Sequence, residues 1–383
     1  GLPGPMRQAL AQLQQDAPPM SGELAAEVVE RELGRPPTDV FAEWDPVPIA
    51  ATSIGQVHRA MTQDGRAVAV KVQYPGVDKA ILADLDNTDG LVGVLGLVFP
   101  GLDPGPVVEE IRERVVEELD YRNEAANQQK FAEYYRDHPF IHIPDVVPEL
   151  STGRVLTSEL SSGARFSELE SWTQEERNRA AEMIYRFVFR SLYRMHSFNG
   201  DPHPGNYLFH RDGGVTFLDF GLVKHFTPTE VDLFERMVEA RVLRPDDAEY
   251  RRIVEEAGVL KPNAPVTDAE VGEYFGHFYE LIRQPGQQTV THEYAAATVR
   301  YMFDMKGDIS RVPKFSNVPK ALVLIQRINL GLFAILAHLG ATADWLAISK
   351  ELWPMTDGPP ATDLGRQEAA WLATAHPSVP TGG

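Results

Sequence analysis

Asp201, Asn206 and Asp219 are the residues of this chain best suited to chemistry, standing in Asp201-Pro-His-Pro-Gly-Asn206 and Asp219-Phe-Gly221. An acid, a carboxamide and a second acid supply hard oxygen ligands of the kind that hold Mg2+ over a nucleotide's phosphates. Phosphoryl transfer asks little covalent help of a protein. It needs cations set against developing charge and an acceptor held in line. In that chemistry Asp201 would orient or deprotonate an acceptor hydroxyl, or position a water, while Asn206 and Asp219 would hold metal. Asp-Phe-Gly alone is a common turn tripeptide; joined to Asp-x-x-x-x-Asn through a short hairpin it is far more specific. His203, enclosed by Pro202 and Pro204, reads as a structural hydrogen-bonding group of the loop rather than a base. His196 reads as structural too.

The hairpin follows from two apolar runs, Tyr207-Leu-Phe-His210 and Val215-Thr-Phe-Leu218, joined by the turn-forming Arg211-Asp-Gly-Gly214. It is predicted to return Asn206 and Asp219 to one end of two paired strands. A cation for the phosphates is offered by Lys71 in Val68-Ala-Val-Lys-Val72. On an alternating strand Val68, Val70 and Val72 share one face, and Ala69 and Lys71 the other. A lone lysine there is most often an exposed charge. The functional reading is a point charge for phosphate oxygens, steadied by a carboxylate. Glu118, in the charged run Glu117-Glu-Leu-Asp-Tyr-Arg-Asn-Glu124, is the candidate partner, although such runs commonly form solvated helical faces. Ahead of the lysine, Ala50-Ala-Thr-Ser-Ile-Gly-Gln56 is a small-residue stretch whose backbone could approach a phosphate closely. With Gly55 as its single glycine it fits a plain turn equally well, and Gln56 could add a polar contact.

The elements that must position these groups read as a small β-rich front and a helical back, with the acids at their junction. Residues 5–33 divide into two short helical pieces at Ala17-Pro-Pro19, and Ser21-Gly-Glu-Leu24 could start the second. The pattern changes to strand and turn around Ile49. Val57-His-Arg-Ala60 and Ala67–Val72 then flank Gln63-Asp-Gly65 as a hairpin. Residues 106–135 form a long charged helical stretch, 153–160 one strand, and 175–198 a second long helix with Ile184, Val188 and Leu192 at helical spacing. After Pro228 the chain is mainly helical. The division expected is a helical extension over 1–46, itself incomplete, a β-containing lobe over 47–160, a helical lobe over 161–355 and a tail over 356–383.

At 383 residues with 43% apolar content the chain can bury more than one core. Its net charge of -19, from 36 basic and 55 acidic side chains, disfavours nonspecific nucleic-acid or anionic-membrane binding. It leaves room for a local basic pocket. With no cysteine there are no disulfides, thiolate metal sites or thiol nucleophiles, which is compatible with a reducing compartment. The most hydrophobic stretch, 321–343, contains Gln326, Arg327, Asn329 and His338 and reads as a buried amphipathic helix rather than a membrane span. No basic-plus-apolar signal segment is seen. The expected location is cytoplasmic, with peripheral membrane association left open.

These residues arrive in the order of a protein-kinase-like fold. More narrowly, over roughly residues 8–345 the chain resembles the ABC1/UbiB (AarF/ADCK-type) atypical kinase-like family. The phrases that carry the resemblance are Ala50-Ala-Thr-Ser-Ile-Gly-Gln-Val-His-Arg-Ala60, Val68-Ala-Val-Lys-Val-Gln-Tyr-Pro-Gly76, Glu118-Leu-Asp-Tyr-Arg-Asn-Glu124, Asp201-Pro-His-Pro-Gly-Asn206 and Leu218-Asp-Phe-Gly221. The resemblance implies an α+β bilobal fold with a small β-containing lobe and a large helical lobe bearing family-specific helical additions. It implies ATP and Mg2+ as cofactors. It makes Ala50, Ala51, Thr52, Ser53, Ile54, Gly55 and Gln56 the alanine-containing counterpart of a kinase glycine-rich loop. Lys71 becomes the phosphate-contacting lysine and Glu118 its ion-pair partner, with Asp120 and Glu124 completing an acidic pattern. Asp201 falls at the catalytic acid, Asn206 and Asp219 at the metal ligands, and Glu159 and Leu160 at the hinge where adenine would bond to backbone.

The family carries an N-terminal extension with a Lys-x-Gly-Gln motif. None occurs here, so that segment is expected upstream of Gly1. The activity implied is that of an ATPase or small-molecule or lipid kinase supporting isoprenoid quinone or other lipid metabolism, with a lipid or isoprenoid partner and no nucleic acid. Leu222-Val-Lys-His-Phe226 leads straight to Thr227-Pro228, with no long activation segment and no Ala-Pro-Glu motif, against a conventional protein kinase. Two other readings compete. An antibiotic or choline phosphotransferase shares an Asp-x-His-x-x-Asn loop, and Ser53-Ile-Gly-Gln56 with the Glu118–Glu124 pattern argues against it. A non-catalytic nucleotide-binding regulator or scaffold would have no need of the full polar set.

Overall fold

The structure is a computed structural model that describes residues 20–52, 54–86, 116, 119–200, 202–302, 310–316 and 331–376. These fall into two compact units. One takes the described residues of 1–134 together with 143–162 and 218–222; the other takes 135–142, 163–217 and those from 223 onward.

The first unit is built on an antiparallel sheet of four strands in the order β1-β2-β3-β5: β1 (Phe41–Ala51), β2 (Gly55–Thr62), β3 (Ala67–Gln73) and β5 (Val155–Glu159). The β2–β3 turn is the one expected at Gln63-Asp-Gly65, with Gly65 at φ 85. Alternation gives β3 two faces. Val68, Val70 and Val72 point into one core with Val28, Val29 and Ala25 of helix α1 (Gly22–Leu33). Fully burying each such valine stabilises by about 1.5–3 kcal/mol. Helix α1 starts where Ser21 accepts the Leu24 amide at 3.2 Å and stops where Gly34 turns left-handed at φ 75. Helix α2 (Val77–Asp86) follows β3, and helix α3 (Tyr121–Tyr134) lies on the lysine side of the sheet, where Tyr121 packs with Ile54 and Leu156.

Strand β1 begins at Phe41, ahead of the change in pattern at Ile49. Pro46 and Pro48 hide it from a search for strands. It is an edge strand with register shifts, and there a proline costs no ladder bond.

The second unit is organised by helix α4 (Gln174–Met195). A capping box of Thr173 and Glu176 opens it, and His196 in left-handed conformation at φ 47 closes it. Against α4 lies a three-stranded sheet of β4 (Ile141–His142), β8 (Val215–Phe217) and β7 (Tyr207–Phe209), with β4 parallel to β8. Tyr207 pairs with Phe217, confirming the hairpin, and Phe187 of α4 stacks on Phe217 at 3.7 Å between ring centroids. Strands β6 (Ser197–Asn199) and β9 (Val223–His225) form a second ladder.

Helices α5 (Pro228–Val238), α6 (Asp247–Glu256) and α7 (Asp268–Gly276) enclose a core around Tyr250, Ile253, Leu260 and Val271. Helices α8 (His292–Met302), α9 (Trp345–Leu352) and α10 (Asp363–Ala375) complete the unit. Residues 331–338 are helical and mostly buried; 321–330, the rest of the hydrophobic stretch, lie outside the described residues. No helix among the described residues is long and apolar enough to cross a membrane.

Candidate active site

Helix α3 brings the first carboxylate to the lysine. Asp120 starts the helix, its Oδ1 accepting the Arg122 amide at 3.0 Å. Tyr121, Glu124, Gln128 and Phe131 then recur on its buried face. Glu124 takes Lys71 Nζ with both oxygens, at 2.9 and 2.8 Å, and Asp219 Oδ2 lies 3.6 Å from the same nitrogen. Among the described residues, the carboxylate that grips Lys71 with both oxygens is Glu124. Because Asp120 ends the charged run as a helix start, the regular stripe of α3 begins at Tyr121, and Glu118 lies outside the described residues. The spacing of Tyr121, Glu124, Gln128 and Phe131 was the signal in the sequence that singles out Glu124.

Burial by itself would lower the Lys71 pKa, but the charges of Asp219 and Glu124 outweigh it and hold the ammonium above the ordinary lysine range. Lys71 thus stays charged throughout the neutral range. Asp219 is fixed by its own turn, Oδ1 accepting the Gly221 amide at 2.9 Å. Phe220 is fully buried against Phe131, and its carbonyl accepts from Asn127 Nδ2 at 3.2 Å. Asn127 is a supporting residue that the sequence reading missed. It stands out as polar only once the helix faces are known.

The stretch 50–56 is the tip of the β1–β2 hairpin. Ala50 and Ala51 end β1 on its exposed side. Thr52 spends both its amide and its hydroxyl on the Gly55 carbonyl, at 2.8 and 3.0 Å. Ser53 lies outside the described residues. Ile54 is buried with Tyr121 and Leu156, and its carbonyl accepts the Tyr74 amide. Gln56 is fully buried and turned away from Lys71. Its Nε2 donates to the Met20 carbonyl at 3.0 Å and bonds His58 Nε2 at 2.9 Å. The reason is strand alternation: Gln56 pairs with Val72, across from Lys71's face, so it cannot add a contact beside the lysine.

Gly55 is required by close approach. A Cβ there would come 2.3 Å from the Val72 carbonyl oxygen and 2.8 Å from the Tyr121 hydroxyl. Gly55→Ala should therefore destabilise the chain by about 1–3 kcal/mol as an overpacked site. A denaturant midpoint equal to wild type would count against this.

At the expected hinge, the Glu159 amide donates to Asp145 O at 2.8 Å and the Leu160 amide to Ala67 O at 3.0 Å. Both donors are used within the unit. A purine there could use only carbonyls of these two residues, with any donor coming from Ser161 onward.

In the second unit, Pro204–Asn206 is a short turn of 3-10 helix following His203. His203 Nδ1 accepts the Gly205 amide at 3.1 Å and its carbonyl the Asn206 amide at 2.9 Å, so its role in the loop is structural, as the enclosing prolines imply. Asn206 immediately precedes β7. Asp201 lies outside the described residues.

A lysine on the third strand of a small antiparallel sheet, paired to a helix glutamate and adjoining the acid of Asp-Phe-Gly, defines a protein-kinase-like site on a kinase-like α+β fold. The chain belongs to the ABC1 atypical kinase-like family, whose domain model matches residues 12–254. Among its relatives, "Atypical kinase COQ8B, mitochondrial" of Rattus norvegicus is 35% identical over 61% of this chain and 44% of its own length. "Atypical kinase COQ8, mitochondrial" of Saccharomyces cerevisiae is 27% identical over 92% of this chain and 70% of its own. A solved structure described as the Rv3197–erythromycin complex from Mycobacterium tuberculosis superposes with a TM-score of 0.71 at 32% identity, covering 91% of this chain and 86% of that one. The chain spans less than half the length of the rat protein and of an uncharacterized chloroplastic aarF-domain protein kinase from Arabidopsis thaliana, at 44% and 48%.

Proposed function

We propose that this chain binds Mg-ATP and uses it as an ATPase or as a kinase of a small molecule or lipid, in support of isoprenoid quinone or other lipid metabolism. The observation that carries the reading is Lys71, held by both oxygens of Glu124 and 3.6 Å from Asp219. A lysine fixed this way offers its charge to phosphate oxygens at one place. Asp219 fits a magnesium ligand: its side chain keeps 31% exposure, and its carboxylate is oriented by the Gly221 amide. Asn206 is the second ligand in this reading and Asp201 the group that orients an acceptor hydroxyl or a water. Bound Mg2+ would neutralise charge developing on the phosphates.

The test is ATP consumption by wild type and Asp201→Ala across added lipids and quinone precursors, with mass spectrometry of every phosphorylated product. Consumption in wild type alone is expected. Free phosphate as sole product identifies an ATPase, and a phosphorylated lipid a kinase. Equal turnover in the two proteins would remove Asp201 from the mechanism. The Mycobacterium tuberculosis relative at 32% identity, described in complex with erythromycin, favours a second reading in which a macrolide occupies the protein. Adding erythromycin to the same assay decides it. A phosphorylated macrolide would replace the lipid reading.

A further inference from the structure

A surface cavity of about 390 Å3 lies within the second unit, between the 3-10 turn Phe166–Ser171, the first turn of α4 and the end of the helix over 331–338. That volume suits a small molecule. None of its described lining residues belongs to the site around Lys71. Two of its walls are tied together, because Gln174 Nε2 donates to the Gly340 carbonyl at 2.9 Å. Phe166, Ala337 and Leu339, each buried, give it an apolar side. His338, a polar residue of the hydrophobic stretch, flanks that side with its ring 5.2 Å from Phe166.

Arg177 lines the same cavity and supplies a fixed cation. Its Nη1 donates to the Glu170 and Trp172 carbonyls at 3.3 and 3.1 Å, and its Nη2 to Gln174 Oε1 at 2.6 Å. All three acceptors are neutral, so they hold the guanidinium in place without cancelling its charge. Among the described residues none of its partners is a carboxylate, and Nη2 keeps a second N–H. Glu170 is the one acid among the described lining residues. Its carboxylate stands 3.7 Å from His338 Nε2 and is 74% exposed, where water and salt screen it. Arginine's planar fork matches a carboxylate or phosphate. Apolar walls beside it add the burial of a hydrocarbon body.

We propose that this cavity binds a small amphipathic oxyanion, its carboxylate or phosphate group bonded by Arg177 and its apolar body laid against Phe166 and Leu339. The site stands apart from the Mg-ATP reading above.

The test measures by calorimetry the Kd of octyl phosphate, kept below its micelle-forming concentration, with inorganic phosphate and octyl glucoside as the head and the body alone. Octyl phosphate should bind at least about 10-fold tighter than either, because it alone uses both halves of the cavity. Arg177→Gln should weaken octyl phosphate by about 10-fold and leave octyl glucoside unchanged. Arg177 also holds two carbonyls, so Glu170→Lys, at an exposed position, gives a second reading that does not depend on that variant folding. It should tighten octyl phosphate by about fivefold. Asp219→Ala should leave it unchanged. An octyl phosphate Kd within about twofold of wild type in Glu170→Lys overturns the proposal, as does an affinity no better than that of octyl glucoside. A Kd that moves with Asp219→Ala and not with Glu170→Lys places the anion at Lys71 and overturns it too. Sedimentation with phosphatidylcholine vesicles, with and without phosphatidic acid, then separates the sources of such a ligand. Phosphatidic acid-dependent pelleting that Glu170→Lys strengthens assigns a membrane lipid, and octyl phosphate binding without pelleting assigns a free molecule.

Discussion

Asp219→Ala should remove the Mg2+-dependent part of ATP binding, weakening it by at least about 100-fold, while the chain stays folded. Losing a residue that merely supports a metal ligand typically costs about 10–100-fold in metal affinity, so losing a direct ligand should cost no less. Folding should survive because Lys71 keeps both oxygens of Glu124, at 2.9 and 2.8 Å, and is not left as an unpaired buried charge. Phe220, fully buried on Phe131 and tied to Asn127 through its carbonyl, should hold the segment in place. Asp219→Asn separates charge from shape. It keeps an oxygen for the Gly221 amide, now accepted at 2.9 Å, yet lacks the negative charge a dication needs. Calorimetry with Mg2+ and with EDTA should show the difference between the two conditions in wild type and not in either variant. Undiminished Mg-ATP binding by Asp219→Ala would withdraw the metal role.

The sequence disclosed this site unevenly, for reasons visible in particular residues. Lys71 and the valines beside it were legible because a strand sorts its side chains by period two, and the sheet leaves that sorting intact. The same rule misplaces Gln56 only when the 50–56 stretch is read as a loop; once Gly55 opens β2, Gln56 must face Val72 and Met20. Glu118 and Glu124 were indistinguishable as charges, and only Glu124 is among the described residues. What brings Glu124 to the lysine is where α3 begins, and that is set by Asp120 acting as a cap, a local event that composition does not announce. Strand β1 was hidden by Pro46 and Pro48, residues that an edge strand tolerates and a central strand does not. The hinge illustrates a different limit. Glu159 and Leu160 were found as a strand end, but whether their amides are already bonded depends on Asp145 and Ala67, which no local pattern connects to them.

Glu368→Ala should be the most destabilising of these substitutions, by about 3–5 kcal/mol, on the order of 5 °C in thermal midpoint. Glu368 sits on α10 and is 1% exposed. Arg190 grips it with two nitrogens at 2.9 and 2.8 Å, Arg186 Nη1 adds a third bond at 2.7 Å, and His138 Nε2 stands 3.4 Å away. His138 Nδ1 accepts the Ile141 amide at 3.0 Å, so the proton is on the nitrogen facing Glu368. Arg186 also binds Glu182 and Glu351, and its side chain is 0% exposed. Removing Glu368 leaves Arg190, 2% exposed, without its bidentate acceptor, and that desolvated charge is the source of the loss.

The cluster also fixes a pH dependence. Burial would raise the Glu368 pKa, but Arg190, the His138 and Arg190 hydrogen bonds and Arg186 together drive it well below the usual carboxylate range. A depressed folded-state pKa contributes stability that is fully present above the unfolded value, about 4.3, and is lost as pH falls below it. The gap in unfolding free energy between wild type and Glu368→Gln should therefore be widest near neutrality and shrink below about pH 4. Urea titrations of both proteins from neutral to acid pH measure that gap, and a gap that stayed constant across the range would show that the ionised carboxylate is not what holds α10 to α4.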